Sequence, residues 1–183
     1  MREGVYVLPL DCPALPQELK SEAMALASDA RGTLGHQIHG EAQRRALFGA
    51  RLRPGQFIVA LVDGSIAGMA CFKCRGPGPV APGFVDFVKT LGVAGVRHWV
   101  MFNYIQPRIG RDGLYIVGID VFDGFHRRGV GLALIDELCR IARRSAASTW
   151  SKPMCGPATK ARTSSIAARA LHRRNSRGFP SAG

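Results

Sequence analysis

Leu114-Tyr-Ile-Val-Gly-Ile-Asp-Val-Phe122, running on into Asp-Gly-Phe-His126-Arg127-Arg128-Gly129-Val130-Gly131, is the stretch that decides the fold. Its apolar, β-branched first half predicts a strand. Beyond it, Val130, Leu134, Leu138 and Ile141 recur at helical spacing, which predicts an amphipathic helix to about Arg144. A strand, a basic Gly-x-Gly turn and a helix make a device for holding a phosphate ester. The first N–H groups of a helix have no acceptor within it, and the positive end of its dipole faces the same way. Glycine lets backbone approach an oxygen with no Cβ between them. Arg127 and Arg128 add positive charge on mobile stems. Two glycines before a helix also occur without any ligand, and a basic pair is often only a solvated surface. Two other phosphate motifs fit worse. No Gly-Lys-Ser/Thr ending is present, and the third glycine of the dinucleotide fingerprint would fall on Leu134.

Working outward, Asp112-Gly113 predicts the turn into that strand. Gln56-Phe-Ile-Val-Ala-Leu-Val62 and Ser65-Ile-Ala-Gly-Met-Ala-Cys-Phe72 flank Asp63-Gly64. An Asp-Gly pair between apolar runs predicts a hairpin, because a type I′ turn needs positive φ at both central residues. Val5 to Leu10 alternates and predicts a first strand. Pro16 to Ala30 predicts a helix with Leu19, Ala23, Leu26 and Ala27 on one face. His36 to Ala50 is a weaker helical stretch. Arg75 to Gly83, with three prolines and three glycines, is a loop. Phe84 to Tyr104 is rich in large apolar residues and predicts one or two helices, weakened in the middle by Gly92 and Gly95. Three readings of it stand side by side: a lid over a pocket, a dimer face, or a satellite hydrophobic cluster.

Val121-Phe-Asp-Gly-Phe-His-Arg-Arg-Gly-Val-Gly-Leu-Ala133 resembles motif A of the GNAT superfamily of acyl-CoA-dependent N-acetyltransferases. That motif reads Gln/Arg-x-x-Gly-x-Gly/Ala, eight residues after a strand-ending valine. Val121 to Gly129 keeps the spacing, Phe125 stands where an aromatic is usual, and His126 replaces the Gln/Arg. The resemblance implies an α/β (α+β) fold: a central mixed, mostly antiparallel sheet flanked by helices, here with a helical insertion between the third and fourth strands. It implies a GNAT domain over 1–144, with 75–112 as the inserted loop and helices, and a divergent basic segment over 145–183. It implies acetyl-CoA as donor and a primary amine, of a small molecule or a protein, as acceptor. Pantetheine would pair with the backbone of Ile119 to Val121 like an added strand. The pyrophosphate would sit on the N–H groups of Arg127, Arg128, Gly129, Val130, Gly131 and Leu132, with His126 beside it. The region after His36 would help shape the acceptor site. Asp120 is the one carboxylate inside the fourth strand and the candidate base. His172, in the place of the family's tyrosine, is the candidate acid. A catalytically weak acyl-CoA-binding protein of the same fold is the alternative.

The 183 residues suffice for one domain with a good-sized core. No apolar run reaches membrane-spanning length, the most apolar stretch being broken by Asp86, Lys89, Arg97 and His98. Glu3 and Asp11 stand where a signal peptide would be uncharged, so a cytoplasmic location is expected. Cys71-Phe-Lys-Cys74 has no second CxxC, and in a strand its two thiols would face opposite ways, so buried free thiols are expected and no metal. The net charge of +12 is uneven. Up to Glu137, fifteen basic residues stand against thirteen acidic ones; after it come ten basic residues and none acidic. Such an end fits nucleic acid through phosphates, or simply a solvated tail with few stacking aromatics. Ala168 to His172 and Gly178-Phe179 resemble the family's ending only faintly, which fits a divergent end or a shifted or truncated reading frame.

Overall fold

The computed structural model describes residues 4–29, 38, 40–74, 76–105 and 114–147. Strands β1 (Val5–Pro9), β2 (Phe57–Val62), β3 (Ser65–Lys73) and β4 (Tyr115–Val121) form one sheet in that order, each pair antiparallel. A parallel member, which the expected mixed sheet requires, would come after β4 and lies outside the described residues. Helices α1 (Gln17–Asp29) and α2 (Glu41–Phe48) separate β1 from β2. Helices α3 (Phe84–Leu91) and α4 (Ala94–Ile105) are inserted between β3 and β4, and α5 (Val130–Ala147) follows β4. Among the described residues no helix is long and apolar enough to cross a membrane.

The β2–β3 hairpin forms as the Asp-Gly pair dictates, with φ of 50° at Asp63 and 83° at Gly64. All six residues of β2 are buried, because both faces of the sheet are covered. Leu8, Phe57, Val59, Leu61 and Met69 meet Leu19, Ala23 and Ala27 of α1 on one face. Ile58, Ala60, Val62, Ala70 and Phe72 meet Val130, Leu134, Leu138 and Ile141 of α5 on the other. Each large side chain so buried contributes roughly 1.5–3 kcal/mol relative to exposure. Leu26 departs from the expected face: it is half-exposed, because the buried line of α1 follows the four-residue step through 19, 23 and 27. Cys71 packs with the α1-side cluster and Cys74 with the α5-side cluster, the opposed arrangement that strand geometry dictates.

The two glycines in the inserted stretch divide it into two helices. Gly92, at φ 62°, ends α3 and donates its N–H to the Val88 carbonyl at 2.9 Å. Gly95 lies where α4 crosses α3, and a Cβ there would stand 2.3 Å from the Phe87 carbonyl oxygen. The crossing brings Phe87 and Phe102 to 5.6 Å between ring centroids, and both join Ile38, Leu47 and Phe48 in a third cluster. Gly95→Ala is expected to cost roughly 1–3 kcal/mol by overpacking backbone against backbone. Urea unfolding would show this as a lower midpoint at unchanged slope.

Arg140 and Arg144 both hold Glu137, at 2.9 Å each, and bury it against the helix.

Candidate functional site

The site is built where β4 ends and α5 begins. Phe122 donates its N–H to the Ala67 carbonyl at 3.0 Å. Backbone direction alternates along an antiparallel strand, so Asp120 also turns its N–H and C=O toward β3. Ile119 and Val121 turn theirs away, to the edge that no described strand covers. Nearer its start β4 carries an extra residue: Cys71 faces Gly118 and Phe72 faces Ile116, leaving Val117 as a bulge. Gly68 makes the junction tight. A Cβ there would meet the Asp120 carbonyl oxygen at 2.7 Å and Val130 Cγ1 at 3.0 Å. Only glycine lets β3, the end of β4 and the first turn of α5 come together this closely.

The connection from Phe122 to Gly129 is a compact turn. Phe125 donates to the Phe122 carbonyl at 3.1 Å, and Gly124, Arg127 and Gly129 have φ of 84°, 61° and 79°. Arg127 is a non-glycine residue in the left-handed region, a conformation that costs of order 1–3 kcal/mol and is found disproportionately at ligand clamps. The first bond at the start of α5 runs from the Ala133 N–H to the Gly129 carbonyl, at 3.0 Å. The N–H groups of Val130, Gly131 and Leu132 therefore have no helical acceptor and point out of the helix start, with the dipole behind them. These are the donors an anion needs.

The basic side chains are less uniform than the sequence suggests. Arg127 is exposed and points no charge at a described carboxylate. Arg128, read above as mobile charge, is held: its guanidinium lies 3.3 Å from Asp63 of the hairpin turn and 5.7 Å above the Phe125 ring. His126 is exposed, with Nε2 3.4 Å from Asp123 Oδ1. Each of these contacts is solvent-facing and contributes little to stability.

A sequence profile of the acetyltransferase (GNAT) family matches residues 22–175. The chain belongs to the GNAT family. No curated protein and no solved structure matches it. GNAT proteins draw acyl groups from acyl-CoA and pass them to an acceptor, so an acyltransferase is the activity class. The residues present fit such a donor. Three unbonded amides, an open strand edge and a glycine-tight junction stand together at the end of β4.

The candidate base, Asp120, is solvent-exposed. It faces Met69 across the ladder, so its side chain shares the face of Met69 and Cys71, the α1 side of the sheet, away from α5. β4 therefore has α5 and the turn on one side and its one carboxylate on the other. Cys71 beside it is a neutral thiol, pushed up to about 12 by burial first and by the Asp120 charge second. The candidate acid, His172, lies outside the described residues. Sequence reading missed two contributors. Asp63 was legible only as a turn residue, and Gly68 only as a residue of a strand, because neither reveals its partner across the sheet.

Proposed function

We propose that this GNAT protein transfers an acetyl group from acetyl-CoA to a primary amine of a small molecule or protein. The observation that carries this reading is the set of unbonded N–H groups of Val130, Gly131 and Leu132, placed beside the open edge of β4. When bound, acetyl-CoA supplies an activated acetyl thioester. The amides of 130–132 hold the pyrophosphate, with the Gly129 backbone able to approach it, Arg127 adding charge and His126 beside it. The outward N–H and C=O groups of Ile119 and Val121 take the pantetheine as an added strand. An amine attacks only after losing a proton, and an Asp120 carboxylate oxygen accepts it on the α1 side of β4. An outward N–H of β4 would donate to the carbonyl oxygen as charge builds on it, the acetyl C–S bond would break as the new C–N bond is kept, and coenzyme A would leave as a thiolate that takes up a proton to give the free thiol.

Isothermal titration with acetyl-CoA, followed by a thiol-release assay over a panel of amines, tests the reading. Saturable micromolar binding and amine-dependent thiol release are expected. Asp120→Asn is expected to lower kcat/KM about a hundredfold, with acetyl-CoA affinity unchanged. A folded chain that shows no acetyl-CoA binding overturns the donor assignment. Binding with no turnover on any amine leaves the chain as an acyl-CoA-binding protein of this fold.

A further inference from the structure

We propose that Asp63 is a positioning residue of the donor site: acting through Arg128, it holds the turn before α5 in the conformation that presents the amides of Val130, Gly131 and Leu132. The proposal rests on the donor reading given above. A turn of this kind does not hold itself. Gly124, Arg127 and Gly129 all have positive φ, and Arg127 is not a glycine. Such a residue stays in the left-handed region only where its surroundings leave it no alternative. The backbone supplies a bond inside the turn, from the Phe125 N–H to the Phe122 carbonyl. The contact of His126 with Asp123 also stays within the turn. Phe125 packs against the α5-side cluster, and the Arg128 guanidinium lies over its ring. Among the described residues, the ion pair that ties this turn to another element is Arg128 with Asp63, at 3.3 Å.

The far end of that tie is fixed. Asp63 and Gly64 make the two-residue turn between β2 and β3, and β2 is buried along its whole length. A pull on the Arg128 side chain is therefore carried by the sheet. Arg128 also stands between two residues of positive φ, Arg127 and Gly129, so fixing it limits rotation on both sides. The hairpin itself does not need the charge at position 63. Asn-Gly makes a type I′ turn as readily as Asp-Gly does. A carboxylate beside an anion-binding turn also repels the anion. Both partners are partly exposed, so the pair adds little to the stability of the fold. What the carboxylate does supply is a fixed place for Arg128, and through it a fixed turn.

Repulsion and positioning have opposite signs, and Asp63→Asn separates them, because it keeps the turn chemistry and the shape and removes the charge. If Asp63 acts by its own charge, the variant binds acetyl-CoA more tightly than the parent chain. If it acts through Arg128, the variant binds more weakly. A weakening of about threefold to fivefold is expected, the most that an exposed pair delivers. It should appear in titration as a higher Kd and in turnover as a higher KM for acetyl-CoA, with kcat and melting temperature unchanged. In an Arg128→Ala background, Asp63→Asn should no longer weaken binding. Hydrogen exchange reads the turn without any ligand: the amides of residues 123–129 should exchange faster in Asp63→Asn, and those of β2 and β3 at the parent rate. Tighter or unchanged acetyl-CoA binding in Asp63→Asn overturns the proposal. So does a weakening that persists in full without Arg128, and so does unchanged exchange in the turn. A parent chain that binds no acetyl-CoA removes the donor reading and with it any role of Asp63 toward a donor, whereas the exchange rates still decide whether Asp63 holds the turn.

Discussion

Gly129→Glu is expected to abolish acetyl-CoA binding, with at least a hundredfold loss of affinity by titration. Three effects act together at this position. Gly129 has φ of 79°, a conformation a side chain adopts only at a cost of roughly 1–2 kcal/mol. Its backbone lies where an anion must approach the amides of Val130, Gly131 and Leu132. A carboxylate introduced there repels phosphate and itself satisfies the helix-start N–H groups that phosphate needs. Gly129→Gln separates these causes, since it keeps the bulk and the backbone strain and removes the charge. It should bind acetyl-CoA more weakly than the parent chain and more tightly than Gly129→Glu, while the two variants melt at similar temperatures. Equal, undiminished binding in both would remove the turn from the donor site.

The hairpin, the strand leading to the turn and the amphipathic helix after it were legible because each rests on a local rule. Asp63-Gly64 needs nothing beyond its own backbone to form a type I′ turn. The 130, 134, 138, 141 line needs only the helical repeat. The unbonded amides at the start of α5 were legible for the same reason, since they follow from the helix itself. Non-local features were not. Gly68 reads as one small residue in an apolar strand, and its need appears only when Asp120 and Val130 close on it. Gly95 reads as a weak point in a helix, whereas its reason is the Phe87 carbonyl of another helix. Arg128 reads as free charge until Asp63, 65 residues earlier in the chain, is seen to hold it. Asp120 was found by being the lone carboxylate in its strand, but which face it takes depended on the register with Met69.

Arg44→Ala is expected to be the most destabilising single side-chain truncation at the α1–α2 junction, at about 3–5 kcal/mol. Asp29 at the end of α1 is almost fully buried, its side chain 6% exposed, and Arg44 of α2 is 19% exposed. One guanidinium serves four acceptor contacts: Nε reaches the Asp29 carbonyl at 2.8 Å and Oδ1 at 3.0 Å, one terminal nitrogen reaches Oδ1 at 2.7 Å, and the other reaches the Ile38 carbonyl at 3.1 Å. Removing it takes a charged donor away from a buried carboxylate and from two carbonyls, which costs far more than loss of a surface pair. Arg44→Lys should recover little, because an ammonium cannot supply the planar fork that these acceptors share. The combined Asp29→Ala and Arg44→Ala variant should lose less than the sum of the two single changes, since both partners of one contact are removed together. The clamp also ties α2 to the end of α1 and to Ile38, and α1 covers the Asp120 side of the sheet. A variant of the pair that remains folded at low temperature should therefore show a raised KM for the amine acceptor and unaltered acetyl-CoA affinity. If acetyl-CoA affinity falls in step with stability instead, the clamp supports the whole domain, and the division of labour across β4 is lost.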